Sequence, residues 1–248
     1  MSLPDAASVR TLLLDAGGVL VKPSFARVAE ALRARGVDAE PAALAAAEPR
    51  AKKALDRPPS PGLSTDRERG WRYFDLVLEQ AGIARSPATD AALVDVKAWH
   101  DRHNLWEDVP ADVQPSLARF RAAGLRLAVV SNANGTLRLL LERLGLAPAF
   151  EVILDSAEEG VEKPDARLFQ RALERLGADA ATAVHVGDIY HVDVVGARAA
   201  GVRPVLLDEA GLYPDADCPR VRSLAELAGH LAPSAARADI SGKLPPAR

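Results

Sequence analysis

Leu12-Leu13-Leu14-Asp15-Ala16-Gly17-Gly18-Val19-Leu20 is the stretch on which the fold turns. An apolar run that stops on an acid and a glycine pair reads as a strand buried on both faces, ending at a tight turn open to a ligand. Counting that strand as 9–14, four more short apolar runs follow at 125–130, 150–154, 183–186 and 203–207. The amphipathic stretches that precede each of the last four end at Gly124, Gly145, Gly177 and Gly201, each shortly after an arginine, which fits C-terminal helix capping. Residues 121–130 and 198–207 echo each other, as one strand-and-helix unit used twice. Alternating strands and helices predict an α/β fold with a parallel core sheet of five or more strands flanked by helices.

The stretch 22–104 breaks this rhythm and holds no strand pattern. Ser24 is placed to cap a helix over 25–35; a second helix is expected over 42–55, limited by Pro49. Arg57-Pro58-Pro59-Ser60-Pro61-Gly62 reads as a loop, and Thr65-Asp66-Arg67-Glu68 as a capping box opening a helix to about Gln80. A further helix is expected over 91–103. The division is thus 1–21 and 105–248 for the core and 22–104 for a small all-helical cap inserted after the first strand. Such an insert stands over the carboxyl ends of the strands, where open α/β sheets bind ligands.

Composition narrows the function. A net charge of −3 over 248 residues argues against nucleic-acid partners and a polybasic membrane surface. Cys218 is the one cysteine, so a disulfide framework or thiolate metal cluster is excluded and a reducing compartment, the cytoplasm, is expected. No run is long enough for a membrane span, and the first residues lack a signal-peptide pattern. The first residues and the tail from about Pro233 look loosely held.

Polar residues then fall on one sheet edge, because parallel strands all end on the same side. Asp15 follows the first strand, Ser131-Asn132 the second, Lys163 precedes Pro164 after the third, and Gly187-Asp188 follows the fourth, with Asp193 five residues on. A carboxylate can attack phosphorus. Mg²⁺ takes hard oxygen ligands, for which Asp15, Asp188, Asp193 and the Gly17 carbonyl are the candidates. Ser131 and neighbouring N–H groups suit phosphate oxygens, and Lys163 supplies fixed positive charge.

The ordered set Asp15…Ser131…Lys163…Gly187-Asp188-(x)4-Asp193 resembles the four motifs of the haloacid dehalogenase (HAD) superfamily. Ser156-Ala157-Glu158-Glu159-Gly160-Val161-Glu162-Lys163-Pro164-Asp165 and His185-Val186-Gly187-Asp188-Ile189-Tyr190-His191-Val192-Asp193-Val194-Val195-Gly196-Ala197 are similar to its subfamily with a helical cap between the first and second motifs. The resemblance spans roughly 9–210. It implies a Rossmann-like core and phosphomonoester hydrolysis through an aspartyl-phosphate on Asp15, with catalytic Asp15 and Lys163. Ser131, Asn132 and Lys163 would bind phosphate. Mg²⁺ would be held by Asp15, the Gly17 carbonyl and Asp188, with Asp193 direct or through water. The substrate expected is a small phosphorylated metabolite.

One position departs from the pattern. Family phosphatases read Asp-x-Asp, the second Asp protonating the leaving alkoxide; here it is Gly17. Three readings stay open: a good leaving group such as an acyl phosphate or sugar 1-phosphate, substitution by His100 or His103, or phosphate binding with little turnover. The rival chemistry is metal-independent carbon–halogen hydrolysis through the same Asp; the retained Asp188 favours the phosphatase.

Each position also has a bland reading. Asp15 can be a turn former, Asp193 a first-turn acid, Ser131 a cap, Lys163 a solvated lysine, and Asn132 and Asn134 turn residues. Trp71, Tyr73 and Phe74, with Val77 and Leu78, have the spacing of cap core, leaving Trp71 or Tyr73 as possible substrate contacts. Trp106 lies near the cap hinge. His185 reads as a hydrogen-bonded core residue, and His191 borders the site entrance.

Overall fold

The computed structural model of the chain describes residues 1–56 and 66–233, with backbone alone for 66–70. The loop and the start of the capping box expected at 57–65, and the tail beyond 233, lie outside the described residues. Six strands form one sheet: β1 (Thr11–Leu14), β2 (Arg126–Ser131), β3 (Val152–Asp155), β4 (Ala183–Gly187), β5 (Arg203–Leu207) and β6 (Arg220–Val221). Their order is β3-β2-β1-β4-β5-β6 and every pairing is parallel. This is the expected α/β, Rossmann-like core. The short β6 had no sequence pattern of its own; it hangs on β5 through Leu206↔Arg220 and Leu207↔Val221.

Among the described residues four helices separate β1 from β2: α1 (Phe25–Ala34), α2 (Pro41–Leu55), α3 (Asp66–Gln80) and α4 (Pro87–His103). They pack α2 on α3, α1 on α4 and α1 on α2 around Val28, Leu32, Leu44, Phe74, Val77 and Val96. Ser24 occupies the N-cap position of α1, but its side chain makes no capping bond. Pro49 lies inside α2 without ending it; burial of Leu44, Ala47 and Ala51 outweighs the lost hydrogen bond. α4 begins four residues before the expected 91, because Ser86 and Thr89 cap it reciprocally: Thr89 N–H donates to Ser86 Oγ at 3.2 Å and Ser86 N–H to Thr89 Oγ1 at 2.8 Å. None of the helices among the described residues is long and apolar enough to cross a membrane.

The remaining helices are α5 (Val113–Ala122), α6 (Leu137–Arg143), α7 (Ser156–Glu159), α8 (Ala166–Leu176), α9 (Val195–Ala199) and α10 (Leu224–Leu231). β1 shows why both sheet faces are covered. Leu12 and Leu14 belong to one core with Leu117, Phe120, Leu140 and Leu227, while Leu13 packs on the opposite side with Val130, Leu168, Phe169 and Ala197. All four β1 residues are buried, which explains an unbroken apolar run where a one-sided strand would alternate.

The α8–α9 packing is tight at Gly196. A Cβ there would stand 2.8 Å from Phe169 Cε2, 2.9 Å from Pro164 Cα and 3.0 Å from the Pro164 carbonyl oxygen. Two of those atoms are backbone beside Lys163, so the strain cannot be relieved by a side-chain turn. Gly196→Ala is therefore expected to destabilise the fold by about 1–3 kcal/mol, lowering the melting temperature by several degrees in calorimetry. An unchanged melting temperature would sink this account.

Candidate active site

β1 lies between β2 and β4, with Leu14 opposite Val129 and Val186. The residues just beyond these register points therefore meet: Asp15 from β1, Ser131 from β2, Asp188 after β4. The Asp15 N–H continues the ladder to the Val186 carbonyl at 2.9 Å, and its Oδ1 accepts from the Ala16 N–H at 2.8 Å, which fixes the side chain at the strand tip. Ser131 stands beside the Asp15 carboxylate, where its side chain favours the ionised form.

Lys163 is the centre of the arrangement. It is 1% exposed, with Nζ 3.0 Å from Asp15 Oδ1 and 2.6 Å from Asp193 Oδ1. Burial works against its charge, but Asp15 and Asp193 outweigh burial and hold it well above the ordinary lysine range. Asn132 secures its backbone from both sides: Lys163 N–H donates to Asn132 Oδ1 at 2.7 Å, and Asn132 Nδ2 donates to the Lys163 carbonyl at 3.0 Å. The Asn132 side-chain amide is thus engaged with Lys163, where the sequence reading placed it on phosphate.

Asp193 uses both of its oxygens. Oδ1 meets Lys163 and His185 Nε2, the latter at 3.0 Å; Oδ2 accepts from the N–H groups of Asp188 at 3.1 Å and Ile189 at 3.0 Å. Burial pushes its carboxyl up, yet Lys163 and His185 outweigh burial and hold it well below the carboxylate range. His185 is the expected core histidine, its Nδ1 lying 2.9 Å from the Leu13 carbonyl, and burial pushes it down.

The Asp188 carboxylate packs against the backbone of the loop after β1, where a Cβ on Gly18 would collide with its Oδ2 and where φ is +76°. This is the close approach that the glycine pair permits. Oxygens of Asp15, Asp188 and Asp193 lie within 4.8 Å of one another. Burial, opposed by Lys163 and reinforced by Asp193 and Asp188, pushes Asp15 from 3.8 to about 7. Burial, opposed by Lys52 and reinforced by Asp193, pushes Asp188 up as well. Three buried acids with raised or contested charge form a hard, all-oxygen donor set, and no described N–H donates to the Gly17 carbonyl beside them. These residues fit a divalent cation such as Mg²⁺.

The helical insert contributes groups that the sequence gave no reason to single out. Lys52 of α2 donates to Asp188 Oδ2 at 2.7 Å and lies 3.6 Å from Glu48, itself 3% exposed and hydrogen-bonded by Tyr73 Oη at 2.9 Å. Asp56, just past α2, accepts from the N–H groups of Tyr190 at 3.1 Å and His191 at 2.9 Å, and from Tyr213 Oη at 2.7 Å. The His191 ring meets the same carboxylate at 2.8 Å.

Two cavities adjoin the acids. A small one of about 160 Å³ is lined by Asp15, Glu48, Lys52, Trp106, Lys163 and Asp188, with Tyr73 and His191 at its wall. A larger one of about 770 Å³ is lined by Trp71, His100, Asn104, Trp106, Asn132 and Asn134. Gly17 and Ser131 border both. Of the two insert histidines, His100 faces the large cavity, whereas His103 stacks on Trp99 with centroids 4.3 Å apart and lines neither. Cys218 is buried and free, packed with Val194, Leu206 and Tyr213 away from the acids.

A family model described as haloacid dehalogenase-like hydrolase matches residues 9–201. Haloacid dehalogenase-like hydrolase domain-containing protein 3 of Homo sapiens is 34% identical over 206 residues, covering 80% of this chain and 82% of its own. The phosphoserine phosphatase of Thermus thermophilus is 40% identical over 147 residues, 58% of this chain and 56% of its own. Among solved structures, the HAD-hydrolase YfnB from Bacillus subtilis shares the fold with a TM-score of 0.65 at 22% identity, over 90% of this chain and 98% of that one.

Proposed function

The chain belongs to the haloacid dehalogenase-like hydrolase family, and on that premise we propose that it hydrolyses a small phosphomonoester with Asp15 as nucleophile and Mg²⁺ as cofactor. The observation that carries the reading is the buried Lys163, 3.0 Å from Asp15 and 2.6 Å from Asp193, beside a third acid, Asp188. A phosphatase among the relatives supports phosphorus as the electrophile.

Asp15 attacks phosphorus through a carboxylate oxygen. The P–O bond to the alcohol breaks, and its electron pair passes to the departing oxygen, which takes a proton from water. A second water attacks the phosphorus of the aspartyl-phosphate, releasing inorganic phosphate and restoring the Asp15 carboxylate. Lys163 opposes the burial that favours protonated Asp15 and offers charge to the phosphoryl oxygens; Ser131, beside the nucleophile, can donate to the same oxygens. Asn132 acts by holding the Lys163 backbone, with Asp193 holding Lys163 and the Asp188 loop. Asp15, Asp188 and the Gly17 carbonyl would hold Mg²⁺, with Asp193 behind them; when bound it supplies hard positive charge for the transferring group.

Residues 22–104 serve as a cap over a core of 1–21 and 105–248. The two connecting strands pair at Lys22 and Asp108, whose N–H and carbonyl groups exchange bonds of 2.7 and 3.1 Å. The grip of Lys52 and Asp56 on the core fits a closed cap that excludes water from the acids.

The test is phosphate release from a panel of sugar phosphates, acyl phosphates, phosphoamino acids and nucleotides, with Mg²⁺ and with EDTA. Mg²⁺-dependent turnover of at least one ester is expected. Halide release from a 2-haloacid in EDTA would overturn the reading in favour of carbon–halogen chemistry, and phosphate binding without any turnover would reduce the protein to a binding module.

A further inference from the structure

We infer that the indole N–H of Trp106 takes the place of the acid missing at Gly17, donating a hydrogen bond to the departing oxygen, and so restricts the protein to phosphoesters whose leaving group departs as a weakly basic anion. This rests on the phosphomonoester reading above.

The placement comes from Gly17 itself. A Cβ built there would meet Trp106 Nε1 at 3.5 Å and Cδ1 at 3.8 Å, with no other heavy atom of the described residues within 4 Å outside its chain neighbours. The direction in which a side chain would leave Gly17 therefore points at the N–H edge of the indole. At 3.5 Å a methyl fits, but the carboxyl of an aspartate would compete with the ring for the same space. Trp106 also lines both cavities, standing between the acids and the larger chamber. None of the described residues accepts a hydrogen bond from its Nε1.

The ring is held in that pose. Tyr73, Phe74 and His100 surround it at centroid distances of 6.2, 5.8 and 5.4 Å. The backbone N–H of Trp106 donates to Asn104 Oδ1 at 3.0 Å, and that of the preceding Leu105 to His100 Nδ1 at 3.2 Å. Asn104 is the sole non-glycine among the described residues with positive φ, at 62°. A strained residue at a cavity edge persists when its surroundings over-determine it, and here the strained turn delivers Trp106 over Gly17. His100 is engaged through Nδ1 with Leu105 and through Nε2 with Asn134 Nδ2 at 3.3 Å, so it buttresses the indole.

The chemistry follows from the donor. An indole N–H donates and does not transfer its proton. As the P–O bond breaks, negative charge gathers on the departing oxygen; a fixed neutral donor stabilises it, and the proton that finally neutralises it comes from water in the open chamber. Acyl phosphates, anomeric sugar phosphates and aryl phosphates meet that condition better than simple alkyl phosphates.

The test uses the full chain with Mg²⁺, a series of substituted phenyl phosphates of graded leaving-group acidity, an alkyl phosphate and acetyl phosphate. In the wild type, kcat/KM is expected to fall steeply as the leaving group becomes more basic. Trp106→Phe should lose about 10²-fold on the most basic leaving groups and under about threefold on acetyl phosphate, steepening the dependence. Benzothienylalanine at 106, which replaces only the N–H by sulfur, should steepen it equally. The double variant Gly17→Asp with Trp106→Phe should flatten it and gain alkyl phosphate turnover. The slope is a ratio within one preparation, so partial loss of folded protein does not move it. Equal slopes in the wild type and both Trp106 variants overturn the role of Trp106 while leaving Asp15 chemistry intact. Absence of hydrolysis across the whole series, acetyl phosphate included, overturns both readings.

Discussion

Asp15→Asn is expected to cut phosphate release by about 10⁴-fold or more while leaving the metal-free protein at least as stable as the wild type at pH 8. The two outcomes have one cause. Asn matches Asp in shape, but its amide does not attack phosphorus. Asp15 is 8% exposed, and its carboxyl is pushed from 3.8 to about 7 by burial, with Lys163 opposing burial and Asp193 and Asp188 adding to it. A carboxyl whose folded pKa is raised favours folding when protonated. That contribution is present below about pH 4 and is lost as pH rises through about 7. Asparagine is neutral throughout and escapes the loss. Lys163 keeps a partner in the variant, because Asp193 remains at 2.6 Å. Melting in EDTA at pH 5 and pH 8 should show the variant gaining on the wild type as pH rises. Added Mg²⁺ should then stabilise the wild type more than the variant, since a ligand stabilises the state that binds it. Retained turnover would remove Asp15 from the chemistry, and a stability difference that ignores pH would remove the electrostatic account.

The parts legible in the sequence are those governed by strand ends. Asp15, Ser131, Lys163, Asp188 and Asp193 could be brought together on paper because parallel strands share a carboxyl edge, and the structure brings them together there. The side chains beyond them were not legible, because nothing local marks them. Lys52 and Glu48 sit in an alanine-rich helix where lysines and glutamates ordinarily face water; only the fold of α2 back over the sheet edge carries Lys52 to within 2.7 Å of Asp188. Asp56 borders a proline-rich loop and reads as a turn residue, yet it joins α2 to Tyr190, His191 and Tyr213. Asn132 was expected on phosphate, whereas its amide is bonded to the Lys163 backbone, a choice decided by which buried backbone groups need partners. Trp106 was placed only near the cap hinge; its relation to Gly17 depends on one strained turn at Asn104 that no pattern announces.

Lys163→Met should damage stability and activity together, in contrast to Asp15→Asn. Among the described residues the ammonium is the one cation paired with both Asp15 and Asp193, and methionine fills its volume without its charge. Removing one partner of a buried ion cluster leaves the others uncompensated, which costs about 3–5 kcal/mol. Asp193 retains His185 and two backbone N–H groups, so the heavier loss falls on Asp15, which keeps the Ala16 N–H and the neighbouring Ser131 side chain. Its carboxyl then rises further, less of the nucleophile is ionised at neutral pH, and the phosphoryl oxygens lose their fixed charge; turnover should fall by about 10²–10³-fold. The stability deficit should shrink as pH falls, because protonating Asp15 removes the uncompensated charge. Asp193 does not contribute to that change: its depressed carboxyl stabilises the wild type by the same amount at pH 5 and pH 8, and its contribution fades only below the ordinary carboxylate range. Denaturant unfolding at pH 5 and pH 8 reads the deficit directly. Adding Asp15→Asn to Lys163→Met should return part of the lost stability at pH 8, a coupling that a double-mutant cycle isolates. Strict additivity of the two substitutions would mean that Lys163 and Asp15 do not act as a pair, and the ionised nucleophile would then need another source of support.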